Sequence, residues 1–212
     1  MKRSYLFMLA VILSFSIACK KDTKEATETM DTEGTEEVTT ENTETTTEKP
    51  KAADYDLDDS YKDQEVVVNL EPKSESTAGG KVIFKQKNGL VTMVAVLNGL
   101  TEGTHAIHIH ESSDCTSADG KSTGGHWNPT AQPHGKFESE TGFHKGDIGN
   151  FEADADGRGT ITVVTREWCI GCADDTKNIL DKAIIVHAGE DDFTTQPTGA
   201  AGGRVSCGGI IQ

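Results

Sequence analysis

Hydrophobic positions fall into three regimes along the chain. An apolar run interrupted only by Ser14 and Ser16 occupies Tyr5–Ala18, and residues 20–65 then carry little besides Thr, Glu, Asp and Lys. From residue 65 onward, short β-prone runs alternate with Gly-rich turns. The runs are Glu65–Leu70, Gly80–Lys87, Leu90–Leu97, Thr104–His110, Asp147–Ala153, Gly159–Thr165, Ala183–His187 and Arg204–Ile211. Asn88-Gly89, Asn98-Gly99 and Asp156-Gly157 mark turns between them. Eight such runs without a helical period predict an all-β domain over residues 65–212, an eight-stranded Greek-key sandwich or flattened barrel. Residues 111–146 break the pattern: 36 residues without strand character make a loop too long for a compact domain unless something staples it.

The first two regimes read as address and tether. Lys2 and Arg3 precede an apolar run of 14 residues, too short to span a bilayer, which takes about 20. It fits the hydrophobic region of an export signal over residues 1–18. Ser16-Ile17-Ala18-Cys19 resembles a bacterial lipoprotein box, which makes Cys19 the expected lipidation site. Residues 19–64 then form a Thr/Glu-rich linker with too little apolar surface to offset the entropy of ordering. The expected location is outside the cytoplasm, lipid-anchored to a bacterial envelope membrane.

Charge sharpens this division. Of the net −15, residues 20–65 hold 6 Lys against 16 acidic groups, leaving the folded part at −7. The tether also explains why only 34% of the chain is hydrophobic. No basic patch exists to displace phosphate counterions, so nucleic-acid binding is excluded. With Cys19 lipidated, four cysteines remain (115, 169, 172 and 207), enough for two disulfides in three possible pairings. Trp168-Cys169-Ile170-Gly171-Cys172 has the spacing of thioredoxin-type redox motifs, yet no βαβ context surrounds it; a local Cys169–Cys172 disulfide is the reading taken.

Histidine placement carries the chemistry. In Thr104–His110, strand alternation sets His108 and His110 on one face and Ile107 and Ile109 on the other. Two imidazoles about 6.6 Å apart along a strand can chelate one metal ion. His126, His134 and His144 follow at spacings of 8 and 10, with Asp147 three residues later. Three imidazoles and a carboxylate suit a closed tetrahedral zinc site, which would pin the long loop. His187 ends the apolar run Ala183–Val186 and completes the candidates.

Over residues 65–211 the chain resembles the copper/zinc superoxide dismutase family. The resemblance rests on His105–Glu111, Gly125-His126-Trp127-Asn128-Pro129, His134-Gly135, His144–Asn150, Ile185–Gly189 and Gly203–Gly208. It implies copper at His108, His110, His126 and His187, and zinc at His126, His134, His144 and Asp147, with His126 bridging the two. It further implies superoxide as substrate, Arg204 drawing in the anion, and His126 carrying a proton. Asp191 would hydrogen-bond a ligand of each metal, and Cys115 would pair with Cys207. His105 matches a position the family does not use as a ligand and is expected to be structural.

One departure bears on function. Ala188–Gly203 contains no Lys or Arg, so the lysines that focus superoxide in eukaryotic relatives are missing there. Lys121, Lys136 or Lys145 in the long loop is the expected substitute source of positive potential. The competing function is a copper-handling module on the same fold without significant turnover. Oligomeric state has no signature in the sequence.

Overall fold

The computed structural model describes residues 62–212. The signal, Cys19 and the tether up to residue 61 lie outside them. By contacts the chain divides after Lys51, and every described residue belongs to the second unit, Ala52–Gln212.

Eight strands form: β1 (Gln64–Pro72), β2 (Gly79–Lys87), β3 (Leu90–Asn98), β4 (Gly103–His110), β5 (Gly149–Ala153), β6 (Gly159–Thr165), β7 (Lys182–His187) and β8 (Arg204–Ile210). β5 begins two residues later than the pattern predicts. Asp147 N–H is committed to a turn with His144 O (3.0 Å) and Ile148 N–H to Gly146 O (2.9 Å), so neither joins the ladder. The strands close into an antiparallel barrel in the order β1-β2-β3-β6-β5-β4-β7-β8. The steps from β3 to β6 and from β4 to β7 are the Greek-key crossovers, and closure leaves no unpaired edge.

Alternation builds the interior. Val66, Val68 and Leu70 on β1 and Val91, Met93, Ala95 and Leu97 on β3 face one core, with Phe84, Ile107, Ile109 and Ile184. β4 differs, because every residue from His105 to His110 is buried. Ile107 and Ile109 face the core, while His108 and His110, of opposite parity, are covered from outside by the long loop. The loop is laid on β4 like an extra strand. His110 bridges antiparallel to His126. Trp127 N–H donates to Ile109 O (2.9 Å), Ile109 N–H to Gly146 O (2.9 Å) and Gly146 N–H to Trp127 O (3.0 Å). A Cβ on Gly146 would overlap Ile109 O, so only glycine permits this approach.

Two disulfides staple the connections. Cys115 in the long loop joins Cys207 on β8, with Cα atoms 5.9 Å apart and a sequence separation of 92. In the chain-entropy account a loop of that size contributes about 4.5 kcal/mol. Cys169–Cys172 closes a separation of only 3, for which the same relation gives about 2 kcal/mol. No helix follows this second pair among the described residues. Its backbone is held independently: Cys169 N–H donates to Lys177 O (2.8 Å), Ile170 N–H to Gln86 Oε1 (2.8 Å) and Gln64 Nε2 to Ile170 O (2.9 Å). Neighbouring Trp168 donates its Nε1–H to Lys145 O (2.8 Å), bracing the long loop.

Candidate metal centre

Two four-residue groups of metal-ligand type assemble, each with its ligand atoms within 4.8 Å of one another: His108, His110, His126 and His187, and His126, His134, His144 and Asp147. All seven residues are buried, and they are the seven that sequence reasoning selected. β4 supplies His108 and His110, the loop strand His126, and the loop beyond it His134, His144 and Asp147. His187 is set by a register shift in β7 between Val186 and His187, which re-aims the ring and leaves His187 paired across the ladder with Arg204.

The imidazole nitrogens sort into held and unheld atoms. His108 donates Nε2–H to Asp191 Oδ2 (2.9 Å), His110 Nδ1–H to Gly124 O (3.0 Å) and His187 Nδ1–H to Gly202 O (3.3 Å). His134 donates Nε2–H to Asp191 Oδ1 (2.9 Å). The remaining atoms, His108 Nδ1, His110 Nε2, His126 Nε2, His134 Nδ1, His144 Nδ1 and His187 Nε2, are buried without a hydrogen-bond partner. Buried polar nitrogens left orphaned in this number are costly unless a ligand completes them. With His108 Nε2, His110 Nδ1 and His187 Nδ1 donating, the orphaned nitrogen of each of these three rings presents a lone pair, as a metal requires.

The second group has the shape of a tetrahedral cage. Asp147 Oδ1 lies 2.8 Å from His126 Nδ1, 3.0 Å from His134 Nδ1 and 3.1 Å from His144 Nδ1. Metal–ligand bonds of about 2.0 Å make tetrahedral edges of roughly 3.3 Å, so the four donors fit one zinc-sized ion. His126 alone belongs to both groups, with Nδ1 in the cage and Nε2 turned to the other three imidazoles. Its ring centroid stands 4.0 Å from that of His108 and 5.0 Å from that of His110.

Electrostatics follow burial. Desolvation, then neighbouring imidazoles, hold His110 and His187 well below the ordinary histidine range. Desolvation also takes His126 down to about 4. Desolvation opposes charge on His134 too, yet the Asp147 and Asp191 carboxylates beside its two ring nitrogens prevail and raise it to about 9. Burial disfavours the Asp147 and Asp191 carboxylates, but their histidine partners outweigh it and hold both below the usual carboxylate range. Asp191 is fully buried and spans the two groups through His108 and His134. Gly199, at φ 65°, leaves room for that carboxylate, which a Cβ would overlap.

Arg204 adds the cationic element. Nη1 donates to Gly120 O (2.8 Å) and Thr123 Oγ1 (3.0 Å), and Nη2 to Gly124 O (2.8 Å). None of these acceptors is charged. The lysines expected to assist it are largely committed elsewhere: Lys121 pairs with Asp119 (2.9 Å) and Lys145 with Glu167, while Lys136 is exposed without an ion pair among the described residues. His105, of the parity of Ile107, ligates nothing. Its Nδ1 bonds His187 O (2.8 Å) and its Nε2 Thr101 O (2.9 Å), fixing the backbone of a candidate ligand.

Three supporting residues were invisible to sequence reasoning. Gln196 grips both backbone groups of His134, accepting its N–H (2.9 Å) and donating to its carbonyl (2.8 Å). Asn150 grips Asp191 in the same way, at 2.9 and 2.8 Å. Thr123 is the third.

A closed Greek-key barrel carrying two histidine-rich groups that share one imidazole defines a class, the β-barrel proteins with two adjoining candidate metal sites. Residues 78–210 match the sequence model of the family copper/zinc superoxide dismutase (SODC), and the chain belongs to that family. It is similar to the solved structure of a double mutant of a SOD-like protein from Bacillus subtilis. The two share 31% identity with a TM-score of 0.61, over 69% of this chain and 97% of that one.

Proposed function

We propose that the protein is an exported, lipid-anchored superoxide dismutase, with copper held by His108, His110, His126 and His187 and zinc by His126, His134, His144 and Asp147. The observation that carries this reading is the set of six orphaned imidazole nitrogens converging in two groups that share His126. Copper, when bound, supplies the one-electron chemistry by which one superoxide leaves as O₂ and a second, with two protons, as hydrogen peroxide, while zinc is redox-inert.

The chain's own residues do the rest. Arg204 attracts the anion, because its guanidinium is anchored by neutral acceptors that leave its charge uncompensated. His126 Nε2 is the atom at which a proton is held and released, since its Nδ1 is committed to the cage around Asp147. Asp191 fixes the orientations of His108 and His134 from one carboxylate. Cys115–Cys207 ties the loop bearing Gly120 and Gly124 to the strand bearing Arg204. Lipidation at Cys19 and the acidic linker would hold this domain at a bacterial envelope membrane, where it meets superoxide formed outside the cytoplasm.

The test is metal content with superoxide consumption on the full chain, alongside His126→Ala and Cys19→Ser. Two ions per chain with rapid turnover, turnover lost in His126→Ala, and loss of membrane attachment in Cys19→Ser are the expected results. Both metals bound without turnover would replace this reading with a copper-handling module.

A further inference from the structure

We infer that Thr123 is a positioning residue for Arg204, fixing which N–H bonds of the guanidinium remain for an incoming anion; this rests on the functional reading above. Thr123 is fully buried at the end of the short 3-10 turn Lys121–Thr123. Its hydroxyl accepts a hydrogen bond from Arg204 Nη1 (3.0 Å) and gives its own proton to Gly120 O (2.9 Å). The residue is pinned on both sides. Thr123 N–H reaches Gly120 O (3.4 Å), and Thr123 O accepts from Ser112 N–H (3.0 Å). The hydroxyl therefore sits at a fixed place beside the guanidinium.

Donor accounting shows what it does. A guanidinium has five N–H donors. Nη1 spends its two on Gly120 O and Thr123 Oγ1, and Nη2 spends one on Gly124 O. Among the described residues this leaves the Nε–H and one Nη2–H for a ligand. Remove the hydroxyl and one Nη1–H loses its acceptor in a partly buried setting, which favours rotation of the group toward water. A carboxylate at residue 123 would anchor Arg204 more firmly but would cancel the charge that attracts an anion. A hydroxyl is the side-chain acceptor that fixes the group and leaves it cationic.

The test uses copper- and zinc-loaded protein and azide as the probe, followed by the absorbance change at copper, so no turnover is needed. Thr123→Val removes the hydroxyl and keeps the β-branch; Thr123→Ala is the second hydroxyl-free variant in case valine does not fold. Both should weaken azide binding about three- to tenfold, the worth of one hydrogen bond, with copper and zinc contents equal to wild type. Thr123→Ser should bind azide within about twofold of wild type. Azide affinity unchanged in Thr123→Val or Thr123→Ala overturns the inference, as does Thr123→Ser binding as weakly as they do. Absence of superoxide consumption with the azide pattern intact would instead refute the functional reading and leave the role of Thr123 standing.

Discussion

His110 and Arg204 converge on a single acceptor, the carbonyl of Gly124, which receives His110 Nδ1–H at 3.0 Å and Arg204 Nη2–H at 2.8 Å. One peptide unit thus sets both the tautomer of His110, in the proposed copper site, and the place of Arg204, the proposed anion-attracting cation. Gly124 sits at φ 77°, where a Cβ would collide with the Glu111 carboxylate. Gly124→Ala should therefore disturb both groups together. The expected outcome is a changed Cu(II) electron paramagnetic resonance spectrum with superoxide consumption reduced at least about tenfold. A normal spectrum with full activity would dissociate the two residues.

Asp191 faces two N–H donors, one from His108 and one from His134. Asparagine has a single carbonyl oxygen, so Asp191→Asn turns an amide NH₂ toward one of those rings. Retention should fall about 10- to 100-fold for at least one ion, read as metal content after dialysis against a graded chelator series.

The two disulfides should be unequal in stability. Replacing both Cys115 and Cys207 by Ser is expected to cost about 4–5 kcal/mol, and replacing Cys169 and Cys172 about 2 kcal/mol or less. Denaturant unfolding of the metal-free variants measures both. Equal losses would contradict the loop-closure account.

In the metal-free protein, His126 and His134 predict opposite pH limbs. His126 is held down at about 4 by burial, so the unfolded chain binds its proton first as pH falls below about 6.5, and stability drops toward pH 4. His134 is raised to about 9 by Asp147 and Asp191 against burial. Its contribution is full below about 6.5 and is lost as pH rises through 9. The thermal midpoint should peak near pH 6.5. Zinc should flatten the alkaline limb, because the ion takes the place of the His134 proton.

Asp119 pairs with Lys121 at 2.9 Å and acts electrostatically on Arg204. Asp119→Asn should raise the rate of superoxide consumption about two- to threefold at low ionic strength, with the gain vanishing near physiological salt. A gain that persists in salt would point away from steering.

How far the sequence foretold this site depends on where each partner lies. His108 and His110 were legible because strand parity is local, and the same parity explains why His105 turns toward Phe151 in the core, ring centroids 6.0 Å apart. His126, His134, His144 and Asp147 were legible as types and spacings, but their convergence depends on the loop folding onto β4. Thr123, Asn150 and Gln196 were not legible: each acts on groups that tertiary closure delivers, and a lone hydroxyl or amide has no pattern of its own. The pairing of Lys145 with Glu167 was hidden for the same reason.

β4 has a consequence for how the domain responds to its ions. Its inward residues Ile107 and Ile109 belong to the main core, while His108 and His110, alternating with them, belong to a group able to hold a metal ion. A strand that is wall to both compartments cannot shift for one without the other. On the proposed function, loading and unloading of ions would therefore also be a mechanical event in the barrel, and amide exchange along residues 105–110 should register it.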